Sequence, residues 1–138
     1  MTRTDPDDIA LIGHRGCAGQ HPENTVAALE RAAPRVDAVE IDVRRCASGE
    51  LVVLHDETLG RLTEGSGPVA NAEWSELREL SVLDSGEPIP RFADALAAVP
   101  SETPVNVEVK EPGLAVDAVA AARDVDNEVL FSSFLPEV

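Results

Sequence analysis

Two imidazoles, three carboxylates and the chain's single lysine recur at comparable places, at or near the ends of short β-branched runs. His14 closes one run, Glu40 and Asp42 fall in the last half of a second, and His55 closes a third. Glu108 and Lys110 close a fourth, and Ser132 with Ser133 a fifth. The members of the pairs Glu40/Asp42 and Glu108/Lys110 are two residues apart, so in an extended strand each pair points to one face. Three carboxylates without a thiolate suit a hard divalent cation, Mg2+ or Ca2+, rather than zinc. Such a cation would relieve the repulsion that makes clustered carboxylates costly. Lys110 and Arg15 add positive charge beside it, in a chain whose net charge is −15. That local inversion is what a phosphate-bearing substrate requires. His14 and His55 can act as base and acid near neutral pH on either side of a phosphorus centre, the residue types leaving open which does which.

Taken singly, each residue has a plainer reading. A strand-end histidine is commonly hydrogen-bonded scaffolding, Glu40 and Asp42 could be a solvated strand end, and Glu108 with Lys110 could be an exposed pair worth about 0 to 1 kcal/mol. Joint occurrence on several strands is what favours a site. His21, before Pro22, needs no special role; Cys17 reads as a small loop residue, Trp74 as a packing residue, and Ser132 and Ser133 as hydrogen-bonding groups without an evident base.

The elements that must position these residues follow from periodicity. Residues 9–13, 38–43, 51–55, 105–109 and 129–132 read as strands. Asn24 or Thr25 can cap a helix that carries Val26, Leu29 and Ala33 and ends near Pro34. Residues 72–80, 91–99 and 114–123 read as further helices. The alternation argues for a parallel sheet with helical crossovers, an α/β fold whose strand ends share one edge. The link over 44–50 is too short for a helical crossover, which weakens a strict β-α-β order there. The stretch 56–103 reads as a small inserted subregion, within a single domain over 1–138.

Composition narrows the partners. At 138 residues and 43% hydrophobic content the chain can build one modest core. Acidic residues outnumber basic ones 26 to 11 and aromatic content is 3%, which argues against nucleic acid and anionic membrane surfaces. No apolar run reaches the roughly 18 residues of a spanning helix. Met1 to Asp8 lacks the order of a signal peptide, and Cys17 and Cys46 form no CxxC pair, so a cytoplasmic chain is expected. The acidic excess also suits a halophilic, high-salt cytoplasm.

The motifs together resemble a known family. His14-Arg15-Gly16, Pro22-Glu23-Asn24-Thr25, Glu40-Ile41-Asp42, Val53-Leu54-His55-Asp56, Arg61-Leu62-Thr63 and Glu108-Val109-Lys110 follow one another as in the glycerophosphodiester phosphodiesterases, over Leu11 to Phe134. The resemblance implies a TIM-type (βα) barrel and metal-dependent hydrolysis of small-molecule glycerophosphodiesters to glycerol 3-phosphate and an alcohol. It implies Glu40, Asp42 and Glu108 as metal ligands, His14 and His55 as the acid/base pair with His14 the preferred base, and Arg15 and Lys110 as the phosphate holders. Glu23 and Asn24 would shape the first loop. A closed barrel takes about 250 residues, so the resemblance covers about five of eight strands. Truncation is the favoured explanation, ahead of completion in trans by another copy, a homo-oligomer, and of a rearranged smaller sheet. A noncatalytic phosphate- or metal-binding module is the alternative function, and a lipid-directed phospholipase is disfavoured by the absence of an amphipathic segment.

Overall fold

Alternating valines and isoleucines build the centre of the sheet. The computed structural model describes residues 9–138, so the expectation drawn from Met1 to Asp8 lies outside the described residues. Its strands are β1 (Ile12–Gly13), β2 (Ala38–Arg45), β3 (Leu51–Val53), β4 (Val105–Val109) and β5 (Val129–Ser132). Its helices are α1 (Val26–Ala32), α2 (Trp74–Leu77), α3 (Phe92–Ala98) and α4 (Ala115–Ala122). Thr25, not Asn24, caps α1, accepting a hydrogen bond from the Ala28 amide at 3.2 Å. Pro34 then ends the helix inside a single tight turn, Ala33–Arg35.

β1, β2, β4 and β5 lie side by side in that order and run parallel. β3 differs from the all-parallel expectation: it pairs antiparallel with β2, through Val43–Val53 and Arg45–Leu51. The cause is the five-residue link. A parallel return needs a crossover of a dozen or more residues, whereas here the Gly49 amide bonds to the Cys46 carbonyl at 3.0 Å and closes a hairpin. Because β3 runs back along β2, the residue after it returns to the level of Asp42, where the Leu54 amide bonds to the Asp42 carbonyl at 3.1 Å.

Register divides the sheet into two faces. Val39, Ile41 and Val43 with Val105, Val107 and Val109 point to one side and pack on Leu29 of α1, Phe92 and Leu96 of α3, and Ala118 of α4. Each such burial stabilises the fold by roughly 1.5 to 3 kcal/mol for the larger side chains. The alternate positions, Glu40, Asn106 and Leu130 in one row and Asp42, Glu108 and Ser132 in the next, share the other face. A second apolar cluster, built from Val52, Leu54, Leu59, Leu62, Val69, Leu77, Val82 and Ile89, sits under the segment between β3 and α3. α2 is shorter there than the sequence suggested, its start fixed by the Glu76 carboxylate accepting from the Glu73 amide at 2.9 Å. Among the described residues no helix is long and apolar enough to cross a membrane.

Candidate active site at the strand ends

β2 and β4 deliver the acids. Asp42 and Glu108 are register partners, and Glu40 stands two residues before Asp42 on the same face. One carboxylate oxygen from each of Glu40, Asp42 and Glu108 lies within 4.8 Å of the other two. Asp42 is fully buried, and its Oδ1, like Oε1 of Glu40, is buried without a hydrogen-bond partner. Leaving a buried acceptor unsatisfied costs about 1 to 3 kcal/mol. Two such oxygens in an all-oxygen cluster are what a hard cation would satisfy, so these three residues could hold a divalent metal. The other oxygen of Asp42 accepts from the Asn24 side-chain amide at 3.0 Å, while the Asp42 amide donates back to Asn24 Oδ1 at 3.3 Å. Asn24 makes both bonds from a left-handed backbone, φ 56°, which asparagine tolerates better than most residues.

The cluster's charge is unbalanced without a cation. Burial, reinforced by repulsion from Asp42 and Glu108, pushes the Glu40 carboxyl up to about 7. Burial likewise raises Asp42. Burial acts the same way on Glu108, but the Lys110 hydrogen bond leads the opposing influences and holds it below the usual range. Lys110 Nζ donates to Glu108 Oε1 at 3.0 Å and lies 4.0 Å from Asp42 Oδ1. Arg15 Nε lies 3.6 Å from Asp42 Oδ2, and its Nη1 donates to Glu23 Oε2 at 2.8 Å. Both cations singled out in the sequence therefore flank the acids.

The imidazoles come from two different connections. His14, after β1, is largely exposed and places Nε2 3.4 Å from Glu40 Oε2. Arg15 and Gly16 then take φ values of 51° and 81°, a reversal fixed by the Asn24 amide bonding to the Arg15 carbonyl at 2.9 Å and the Gly16 amide to the Glu40 carbonyl at 3.2 Å. His55 follows β3 with Nδ1 2.8 Å from Asp56 Oδ1. Its carbonyl accepts from Nε and Nη2 of Arg44 at 3.0 and 2.8 Å. His14, Glu40, Glu108, Asn106, Ser132 and Ser133 line a cavity of about 320 Å³. Ser132 donates to Asn106 Oδ1 at 3.0 Å and Ser133 to the Val109 carbonyl at 2.8 Å, so both serines serve structure at its wall.

The remaining sequence candidates stay apart. The His21 amide bonds to the Cys17 carbonyl at 3.0 Å within the first loop. Cys17 Sγ donates to the Ala28 carbonyl. Trp74 packs on the second cluster, with the Arg91 guanidinium 5.6 Å from its ring. Neither Arg44 nor Asp56 has a role in the sequence reading. The only local signal was the His-Asp dipeptide, which puts an acceptor beside an imidazole.

A sequence profile of the glycerophosphoryl diester phosphodiesterase family matches residues 14–133. This chain belongs to that family. A glycerophosphodiester phosphodiesterase of Caldanaerobacter subterraneus is 34% identical over 139 residues, covering 90% of this chain and 57% of the relative. Human glycerophosphodiester phosphodiesterase 1 is 31% identical, covering 96% of this chain and 44% of the relative. The chain thus spans about half the length of these relatives. Among solved structures, the phosphodiesterase of Agrobacterium tumefaciens superposes with a TM-score of 0.86 at 33% identity, over 94% of this chain and 60% of that one. A phosphodiesterase of Oleispira antarctica, solved with its product sn-glycerol-3-phosphate, gives 0.81 at 33% identity, over 93% and 58%. The strands and helices described above are accordingly part of the family's TIM barrel.

Proposed function

We propose that this chain carries the first-half site of a cytoplasmic, metal-dependent phosphodiester hydrolase that cleaves glycerophosphodiesters to glycerol 3-phosphate and an alcohol. The observation that carries the reading is the pair of orphaned oxygens, Glu40 Oε1 and Asp42 Oδ1, in an acidic cluster flanked by Arg15, Lys110 and two imidazoles. Glu40, Asp42 and Glu108 would hold Mg2+ or Ca2+, which when bound supplies Lewis acidity toward the phosphate oxygens. The product found in the Oleispira relative supports the substrate class, and the free cysteines Cys17 and Cys46 suit a reducing compartment.

The chain's own groups divide the remaining work. Arg15 and Lys110 bind the nonbridging oxygens and offset charge that grows there as phosphorus is attacked. His14 takes the proton of the nucleophile: attack by water gives glycerol 3-phosphate directly, whereas attack by the substrate's glycerol hydroxyl gives a cyclic phosphate that a second attack, by water, opens to the same product. His55 gives a proton to the departing alkoxide, and Asp56 at Nδ1 stabilises the imidazolium that can do so.

The test is release of glycerol 3-phosphate from glycerophosphocholine with Mg2+ or Ca2+, comparing the parent chain with His14→Ala and His55→Ala. Metal-dependent turnover lost by at least about a hundredfold in each variant is expected. Cation binding with no turnover in the parent would instead favour a noncatalytic phosphate- or metal-binding module.

A further inference from the structure

Arg61, part of the matched motif but without a role in the chemistry above, meets two carboxylates at once. Its Nε and Nη2 donate to the two oxygens of Asp56 at 2.8 and 2.9 Å. Its Nη1 and Nη2 donate to the two oxygens of Glu23 at 2.9 and 3.1 Å. Each carboxylate has a second donor that belongs to the site. Arg15 Nη1 reaches Glu23 Oε2 at 2.8 Å, and His55 Nδ1 lies 2.8 Å from Asp56 Oδ1. Arg15 continues to Asp42 at 3.6 Å. A ladder of alternating charge therefore runs through Asp42, Arg15, Glu23, Arg61, Asp56 and His55, and Arg61 joins its two halves. Glu23 comes from the loop after β1 and Asp56 from the segment after β3, so the join also ties together the two connections that carry the imidazoles.

The geometry requires a fork. Three guanidinium nitrogens in one plane can serve both carboxylates in bidentate fashion, whereas an ammonium is a single point of charge. We propose that Arg61 is a positioning residue: by clamping Asp56 and Glu23 it holds His55 in the Nδ1–H form and fixes the Arg15 guanidinium. An imidazole's tautomer is set by the partner of its other nitrogen, and with Nδ1–H given to Asp56, Nε2 becomes the nitrogen that exchanges protons with substrate. Arg61 acts only through the two carboxylates. The catalytic consequence rests on the phosphodiesterase reading; the tautomer does not.

The test uses the 138-residue chain and 15N spectra of its imidazoles at a pH where they are neutral. The parent should show His55 predominantly as Nδ1–H. Arg61→Ala and Asp56→Ala should each shift the tautomer ratio several-fold toward Nε2–H, while Glu23→Gln, which leaves the Asp56 fork in place, should not. Arg61→Lys serves where the alanine variant loses its fold, read by the same ratio, because a lysine keeps the charge but not the fork. A parent-like ratio in a folded Arg61 variant, or a parent that is not Nδ1–H, overturns the proposal. In turnover of glycerophosphocholine, Asp56→Ala should lower kcat by about tenfold or more, Glu23→Gln should raise KM, and Arg61→Ala should do both. A shifted tautomer in a chain whose parent turns nothing over removes the phosphodiesterase reading and leaves the clamp. Turnover in the parent with an unshifted tautomer removes the clamp alone.

Discussion

Glu40 condenses the electrostatics of the site into one side chain. Its carboxyl ordinarily titrates at 4.5 and in the fold is pushed up to about 7 by burial and by its two acidic neighbours. Without a cation the folded chain therefore binds more protons than the unfolded one between those values, and stability from this group is complete below pH 4.5 and lost as pH rises through 7. The full loss is about 3 kcal/mol, of which about 2 kcal/mol falls between pH 5 and 7. In calorimetric scans at pH 5, 6 and 7 with a chelator present, the thermal midpoint should fall across the series, and Mg2+ should flatten the fall by favouring the ionised carboxylate. Glu40→Gln should reduce the fall under chelation, leaving the smaller contribution of the raised Asp42 carboxyl. A midpoint that rises with pH under chelation contradicts the assignment. The acids, His14 and Lys110 were legible in the sequence because strand parity and the ends of parallel strands bring them together, whereas His55 reaches the same place because β3 runs back along β2, and Arg15 because the loop after β1 reverses. Asn24, Arg44 and Asp56 were not, since their roles depend on the path of loops: Asn24 grips Asp42 only from a left-handed backbone, and Arg44 meets the His55 carbonyl only because β3 turns back.

At the level of elements, short apolar runs reveal position better than direction. The bounds of β4 follow from its alternating valines and those of β5 from its Val-Leu-Phe run, α1 from its apolar spacing and its Thr25 cap, and α3 and α4 from apolar spacing alone. The sense of β3 lay only in the length of the link before it, and β1 is shorter than its run because the Leu11 amide bonds to the Asp37 carboxylate, at 2.7 Å, instead of to a neighbouring strand. The turn that follows β1 depends on glycine for two separate reasons. Gly16 has φ 81°, and a Cβ there would stand 2.9 Å from the Ala28 Cβ and 3.0 Å from the Ala28 carbonyl carbon in α1. Gly16→Ala should therefore cost about 2 to 4 kcal/mol, from the left-handed backbone and from crowding against a helix. A fall of roughly 10 °C in the midpoint is expected. Because Arg15 and His14 hang on the same turn, the variant should also turn over glycerophosphocholine with a higher KM and a lower kcat. A folded variant with unchanged kinetics would show that the turn does not position these two residues.

The whole molecule presents a polar site on a sheet that, among the described residues, has two unpaired margins. On the face opposite the helices, the rows nearest the N-terminal ends of the strands hold Ile12 and Leu130, 52% and 66% exposed, and Phe134 beyond β5 is 90% exposed. Ile12 lies on β1 and Leu130 on β5, the outer strands of the parallel set, so apolar side chains coincide with backbone groups free to pair. In the relatives these margins belong to a barrel of which this chain covers little more than half. Opposing self-pairing is a net charge of −15, whose repulsion reaches about 10 Å at 0.1 M salt and about 3 Å at 1 M. Hydrophobic pairing along the edges keeps its strength over the same range while the repulsion is screened. The isolated 138-residue chain should thus associate with increasing concentration, and more so at 1 M than at 0.05 M NaCl, in light-scattering mass measurements. Replacing the edge residues together, Ile12→Lys with Leu130→Lys, should reduce the association at both salt concentrations, because a lysine on an outer strand opposes edge pairing even when long-range repulsion is screened. A scattering mass that stays monomeric at 1 M NaCl and high concentration would mean that these margins are not adhesive, and that the acidic surface is not what keeps the chain apart.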